Sequence, residues 1–148
     1  MSVRGYVLDT DVLAAAFRSD AGASRRILYA ALERRFRLLI SVPLMFEYEA
    51  VLRRPEHLAA SGASIQDVND VLDGLAAIGE HVKLAFRWRP ALRDPDDDMV
   101  LETAVNGQAH AIVTFNEKDF QPVAQRFGCY VMRPGEFLRE LSNEAESG

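Results

Sequence analysis

Carboxylates recur in this chain where an apolar run gives way to a helical pattern. Asp9 and Asp11 flank Thr10 directly after Tyr6-Val7-Leu8, and Glu47 and Glu49 follow the next apolar run. Asp94, Asp96, Asp97 and Asp98 surround Pro95, and Asp119 closes the stretch Thr114-Phe115-Asn116-Glu117-Lys118-Asp119. Like charges held close raise one another's pKa, so several acids share a crevice at little cost only when a cation joins them. Hard divalent cations take oxygen ligands, and Mg²⁺ suits a few carboxylates together with waters and phosphate oxygens. One or two such ions activate a water and stabilise the leaving oxygen of a phosphodiester. No softer metal site competes, because His57, His81 and His110 are scattered and Cys129 is the only cysteine.

Each acid also has a plainer role. Asp9 or Asp11 can cap the helix that follows, and Asp119 can cap its own short helix. Asp94 is a strong cap before Pro95, and Asp96 to Asp98 favour a helix N-terminus electrostatically. Glu47 and Glu49 lie on opposite flanks of an apolar stripe, so helical periodicity does not choose between them. It is the joint placement after successive strands that points to a common site.

The elements that must position these acids follow from the pattern. Short apolar runs predict strands over residues 3–8, 37–42, 81–86, 111–115 and 129–132. Helical spacing predicts helices over 11–18, 24–35, 43–52, 65–78, 95–107, 119–126 and 134–141, with 56–63 as a polar connection. Pro43 suits a first helical position, and Ser64 with Asp67 resembles a capping box. Strands alternating with helices predict a parallel sheet covered on both faces, with function at the carboxyl ends of its strands. The expectation is a single domain over residues 1–141, with 142–148 as a frayed tail.

The totals are those of a globular chain. It has 148 residues, 49% hydrophobic and 26% charged. A chain of this length buries roughly 70% of its unfolded surface and needs no disulfide staple. No apolar run approaches the length of a membrane span, and Asp9 and Asp11 interrupt any signal-peptide pattern, so the expectation is a cytoplasmic protein with no membrane partner. The net charge of −5 argues against a non-specific coat for nucleic acid. The basic residues are nonetheless mostly arginine, the better bidentate phosphate binder. Arg18, Arg53, Arg54, Arg87 and Arg89 are the candidates to meet phosphates around the crevice; solvated helix faces are the alternative for such residues.

Four blocks in this order resemble the PIN-domain nucleases, in particular the ribonuclease toxins of bacterial toxin–antitoxin systems. They are Val7-Leu8-Asp9-Thr10-Asp11-Val12-Leu13; Ser41-Val42-Pro43-Leu44-Met45-Phe46-Glu47-Tyr48-Glu49; Asp94-Pro95-Asp96-Asp97-Asp98 with Ala104; and Ile112-Val113-Thr114-Phe115-Asn116-Glu117-Lys118-Asp119-Phe120. The resemblance implies a three-layer α/β/α fold with a central, mostly parallel five-stranded sheet. It implies an endoribonuclease dependent on Mg²⁺ or Mn²⁺, with an RNA substrate, a cognate antitoxin and a homodimer as partners. It places the metal acids on Asp9, Glu47 and Asp97, with Asp94 and Asp98 as helpers. Thr10 and Thr114 would supply polar support rather than nucleophiles. Many relatives carry aspartate where this chain has Asn116. Asn116 can still orient a water, and Asp119 would supply the missing charge as a fourth catalytic acid.

Two other readings compete. Asp9-Thr10-Asp11 also resembles the nucleophile–acid pair of haloacid-dehalogenase-like phosphohydrolases, in which Asp9 would form an aspartyl-phosphate. Leu13 stands where that motif wants a small or hydroxyl residue, and Glu47 would have no role there. The second is a PIN-like fold kept for RNA or protein binding with a depleted metal site, for which Asn116 is the motivation.

Overall fold

Five short strands, all parallel, form one sheet in the computed structural model, which describes residues 4–19, 22–85 and 95–147. They are β1 (Gly5–Leu8), β2 (Arg37–Ile40), β3 (Glu80–His81), β4 (Ala111–Val113) and β5 (Tyr130–Met132), in the spatial order β3-β2-β1-β4-β5. The apolar β1 is therefore central and wholly buried, with Tyr6 opposite both Leu38 and Ala111. A strand covered on both faces must be apolar on both, which is why Tyr6-Val7-Leu8 shows no alternation.

Helices cover both faces, giving α/β/α layers. They are α1 (Thr10–Arg18), α2 (Ala23–Leu32), α3 (Val42–Leu52), α4 (Pro55–Ser61), α5 (Ile65–Ile78), α6 (Pro95–Asn106), α7 (Glu117–Ala124) and α8 (Pro134–Ser147). Ser64 and Asp67 form the expected capping box at the start of α5, with reciprocal bonds of 3.0 and 2.9 Å. The rings of Tyr6, Phe36 and Phe137 meet at centroid separations of 4.5 to 5.7 Å, locking β1 against the start of β2 and against α8.

Three expectations need correction. Residues 56–63 are not a connection. Pro55 opens α4 from its first turn, His57 is buried, and Gly62 ends the helix with φ 74°. The strand expected over 81–86 is, among the described residues, only Glu80–His81, a short edge, and residue 86 lies outside them. The strand expected to reach residue 115 stops at Val113, because the amide of Phe115 turns to a side chain, Asp11. Residues 142–147 lie in α8, and Arg4 bridges Glu140 and Glu144 at 2.7 and 3.3 Å.

Candidate functional site

The carboxyl ends of β1 and β4 create the centre of the site. Asp9 is the residue between β1 and α1, only 5% exposed, and its side chain accepts from the amide of Thr10 at 2.7 Å. Capping and site are thus the same position rather than alternatives. The neighbouring strand ends in Thr114, fully buried, whose hydroxyl donates to Asp9 Oδ2 at 2.7 Å and accepts from the amide of Asn116 at 2.9 Å. Asp9 therefore cannot swing away without leaving buried polar groups unsatisfied.

Asp11 sits one residue into α1. Its Oδ2 accepts from the Phe115 amide and the Asn116 side-chain amide, each at 3.2 Å. Burial first, then the charge of Asp9, pushes its carboxyl up to about 7 from an ordinary 3.8, with the Phe115 amide opposing. Asp11 Oδ1 is buried without a hydrogen-bond partner among the described residues.

The helix α3 brings the third acid. Ser41 caps it, accepting from the Leu44 amide at 3.4 Å, and Tyr48 donates its hydroxyl to the carbonyl of Leu8 at 2.5 Å. That bond docks α3 on the end of β1 and sets Glu47 on the cleft side. Glu49 instead forms an ion pair with Arg53 at 2.9 Å. The helix α6 is tied to α3 through Thr103 and Ser41, whose hydroxyls lie 2.6 Å apart, and it presents Asp97.

One cleft of about 440 Å³ is lined by Asp9, Thr10, Asp11, Glu47, Asp97 and Asn116, with Arg18 and Arg54 beside them. Small residues, Ala14 and Ala15, line α1's part of the wall, and Val51 and Phe115 add apolar surface. Asp98 is fully buried and does not line the cleft. Arg53 turns to Glu49 and to Asn69. Asp119 lines a separate groove of about 240 Å³ with Glu117, Lys118 and Arg133, which shares Phe115 and Asn116 with the cleft. Asp94, Arg87 and Arg89 lie outside the described residues. Asp11 and Phe115 were underrated in the sequence. Only the pairing of β1 with β4, invisible in a linear reading, brings them together.

The donor set is all oxygen, which suits a hard divalent cation. Among the described residues no three ligating side chains are drawn together as a ready cage. The orphaned Asp11 Oδ1 marks a polar vacancy in the hydrogen bonding of the cleft that a cation or its water would fill. Asp9, Glu47 and Asp97 are carboxylates on one cleft, and their chemistry would suit such an ion.

Among curated proteins, none matches this sequence. Its fold is similar to that of a solved chain described as "Crystal structure of VapBC2 from Rickettsia felis bound to a DNA fragment from their promoter", with a TM-score of 0.58 and 15% sequence identity, covering 87% of this chain and 98% of that one. The sequence model of the PIN domain matches residues 5–118, a span that runs from the first strand through the first three acidic blocks and ends just before Asp119, and by that match the chain belongs to the PIN-domain family.

Proposed function

We propose that this protein is a metal-dependent endoribonuclease and the toxin of a toxin–antitoxin pair. The observation that carries the reading is the convergence of Asp9, Glu47 and Asp97, from three separate elements, on one cleft of a PIN domain. PIN domains are in general nucleases that use divalent metals. Asp9, Glu47 and Asp97 would hold Mg²⁺ or Mn²⁺. When bound, such an ion lowers the pKa of a water and offsets charge on the scissile phosphate. Thr10 and Thr114 fix the Asp9 carboxylate, which otherwise would rotate freely between ligands. Arg18 and Arg54 offer guanidinium forks to the phosphates on either side of the cut. Asn116, tied to Asp11, holds the far wall without adding a further negative charge.

The likeness to a chain of a VapBC2 complex supports an antitoxin partner, which would cover the acids. A homodimer and a cytoplasmic location complete the reading. Asn116 and the absence of a ready three-ligand cage among the described residues favour a second reading, a PIN domain that binds RNA without cutting it. The phosphohydrolase reading loses ground because Glu47 and Asp97 share the cleft of Asp9 in a PIN domain.

The test is cleavage of a mixed RNA pool with Mg²⁺ or Mn²⁺. Asp9→Asn, Glu47→Gln and Asp97→Asn should each lower the rate at least about a hundredfold. Mg²⁺ should raise the melting temperature of wild type but not of Asp97→Asn, by simple linkage. Binding of RNA by wild type with no cleavage under either ion would select the second reading.

A further inference from the structure

Phe115 is an exposed aromatic at the mouth of an acidic cleft, and nothing in the metal chemistry requires it. The residue is 37% exposed, although it follows the fully buried Thr114. Phe115 lines two cavities at once, the cleft that holds Asp9, Glu47 and Asp97 and the smaller groove beyond it. Arg133 stands over it, with its guanidinium 5.8 Å from the ring centroid. That guanidinium is itself anchored, donating to the Phe115 carbonyl at 3.1 Å and pairing with Glu117 at 3.5 Å. The backbone beneath is anchored too, since the Phe115 amide bonds Asp11. A phenyl ring on an anchored backbone, with an anchored cation over it, has already lost part of the freedom that binding would otherwise remove.

The groove beyond the ring has a composition that narrows its ligand. Lys118 and Arg133 are matched by Glu117 and Asp119, so their charges cancel. Such a groove gives no net attraction to a phosphate. It does offer an aromatic face and both donors and acceptors at its edge, which is what a nucleobase takes. Arg18 and Arg54 line the cleft itself, beside Asp9, Asp11, Glu47 and Asp97.

We infer that Phe115, backed by Arg133, is a stacking platform for a nucleobase of single-stranded RNA next to the cleavage site, and that the groove of Glu117, Lys118 and Asp119 receives that base's polar edge. The inference rests on the nuclease reading and deepens it. The strand enters past Arg18 and Arg54, its phosphate meets the acids, and a neighbouring base turns out onto Phe115. Asp119 then serves as a hydrogen-bond acceptor for a base rather than as a metal ligand.

The experiment uses the cleavage-dead Glu47→Gln protein and two fluorescent strands of equal charge, each about 12 residues long. One is oligo(A) RNA and the other a ribose-phosphate chain without bases. Phe115→Ala should weaken oligo(A) binding about tenfold and leave the abasic strand within about twofold, as loss of one stacked base requires. Phe115→Trp should keep oligo(A) affinity, and Phe115→Leu, which preserves bulk without a π face, should behave like alanine. In the wild-type background Phe115→Ala should raise KM more than it lowers kcat. Equal weakening of both strands, or unchanged oligo(A) binding, overturns the platform. If wild type still cleaves RNA in that case, the nuclease reading stands without it. If wild type neither binds nor cleaves RNA, both fall together.

Discussion

Asn116 stands where a further carboxylate would crowd Asp11, and its side-chain amide donates to Asp11 Oδ2 at 3.2 Å. Replacing that donor with a second acid exchanges an attraction for a repulsion in the free protein and adds a ligand for a cation. Asn116→Asp should therefore lower the melting temperature in the presence of a chelator, by on the order of 1 kcal/mol of stability, yet enlarge the rise produced by Mg²⁺. A Mg²⁺ response equal to that of wild type would put the residue beyond reach of the ion. At this scale the sequence was legible where type and neighbours coincide. Asp9 ends the apolar run Tyr6-Val7-Leu8, and that position places its carboxylate at the strand end. Glu47 was not separable from Glu49 by the helical wheel. What separates them is the Tyr48 hydroxyl on the Leu8 carbonyl and the Arg53 ion pair, both of them contacts that depend on packing. Asp11 was undervalued for the same reason, because its partners Phe115 and Asn116 lie more than a hundred residues downstream.

Among the elements, α4 is the one whose chemistry is least settled. His57 is buried in it, edge-on to Phe17 of α1 at 5.7 Å, and neither ring nitrogen has a hydrogen-bond partner among the described residues. Burial first, then the charge of Arg18, lowers its pKa below 6.5. The folded imidazole is thus harder to protonate than that of the unfolded chain, which takes up a proton near pH 6.5. The stability contributed by a neutral His57 is present above that pH and lost as pH falls below it. Urea midpoints measured at pH 7.5 and 5.5 should drop for wild type, and His57→Leu should flatten the drop while leaving the midpoint at pH 7.5 equal or higher. An equal drop in both proteins would assign the acid sensitivity to other groups. This helix escaped the sequence reading because Pro55 after Arg53-Arg54 reads equally well as the end of α3 and as the first turn of a new helix. Seven residues are also too few to display a period. The longer α5, with fourteen residues and a capping box, was legible to the residue.

At the level of the whole molecule the alternation of strand and helix was readable, but the order of strands across the sheet was not. That order, with β1 between β2 and β4, decides which acids can meet. Burial of the last strand's flank has a measurable cost at high pH. The thiol of Cys129 is pushed up to about 11 from 9.0, chiefly by burial. The folded protein keeps that thiol protonated while the unfolded chain ionises, so its contribution is complete below pH 9 and disappears as pH rises toward 11. Melting temperatures should fall between pH 8 and 10.5, and less steeply for Cys129→Ala. The same slope in both would show that the thiol is not responsible. The bond from Thr114 to Asp9 carries a different consequence, one of timing. On the ribosome Asp9 emerges before β4, and its strand lacks one neighbour and its carboxylate lacks that hydroxyl until β4 has been made. Domains fold as units during synthesis. A nascent chain thus carries scattered acids and no assembled cleft until β4 has been made, so whatever the cleft does waits on the strand that completes it.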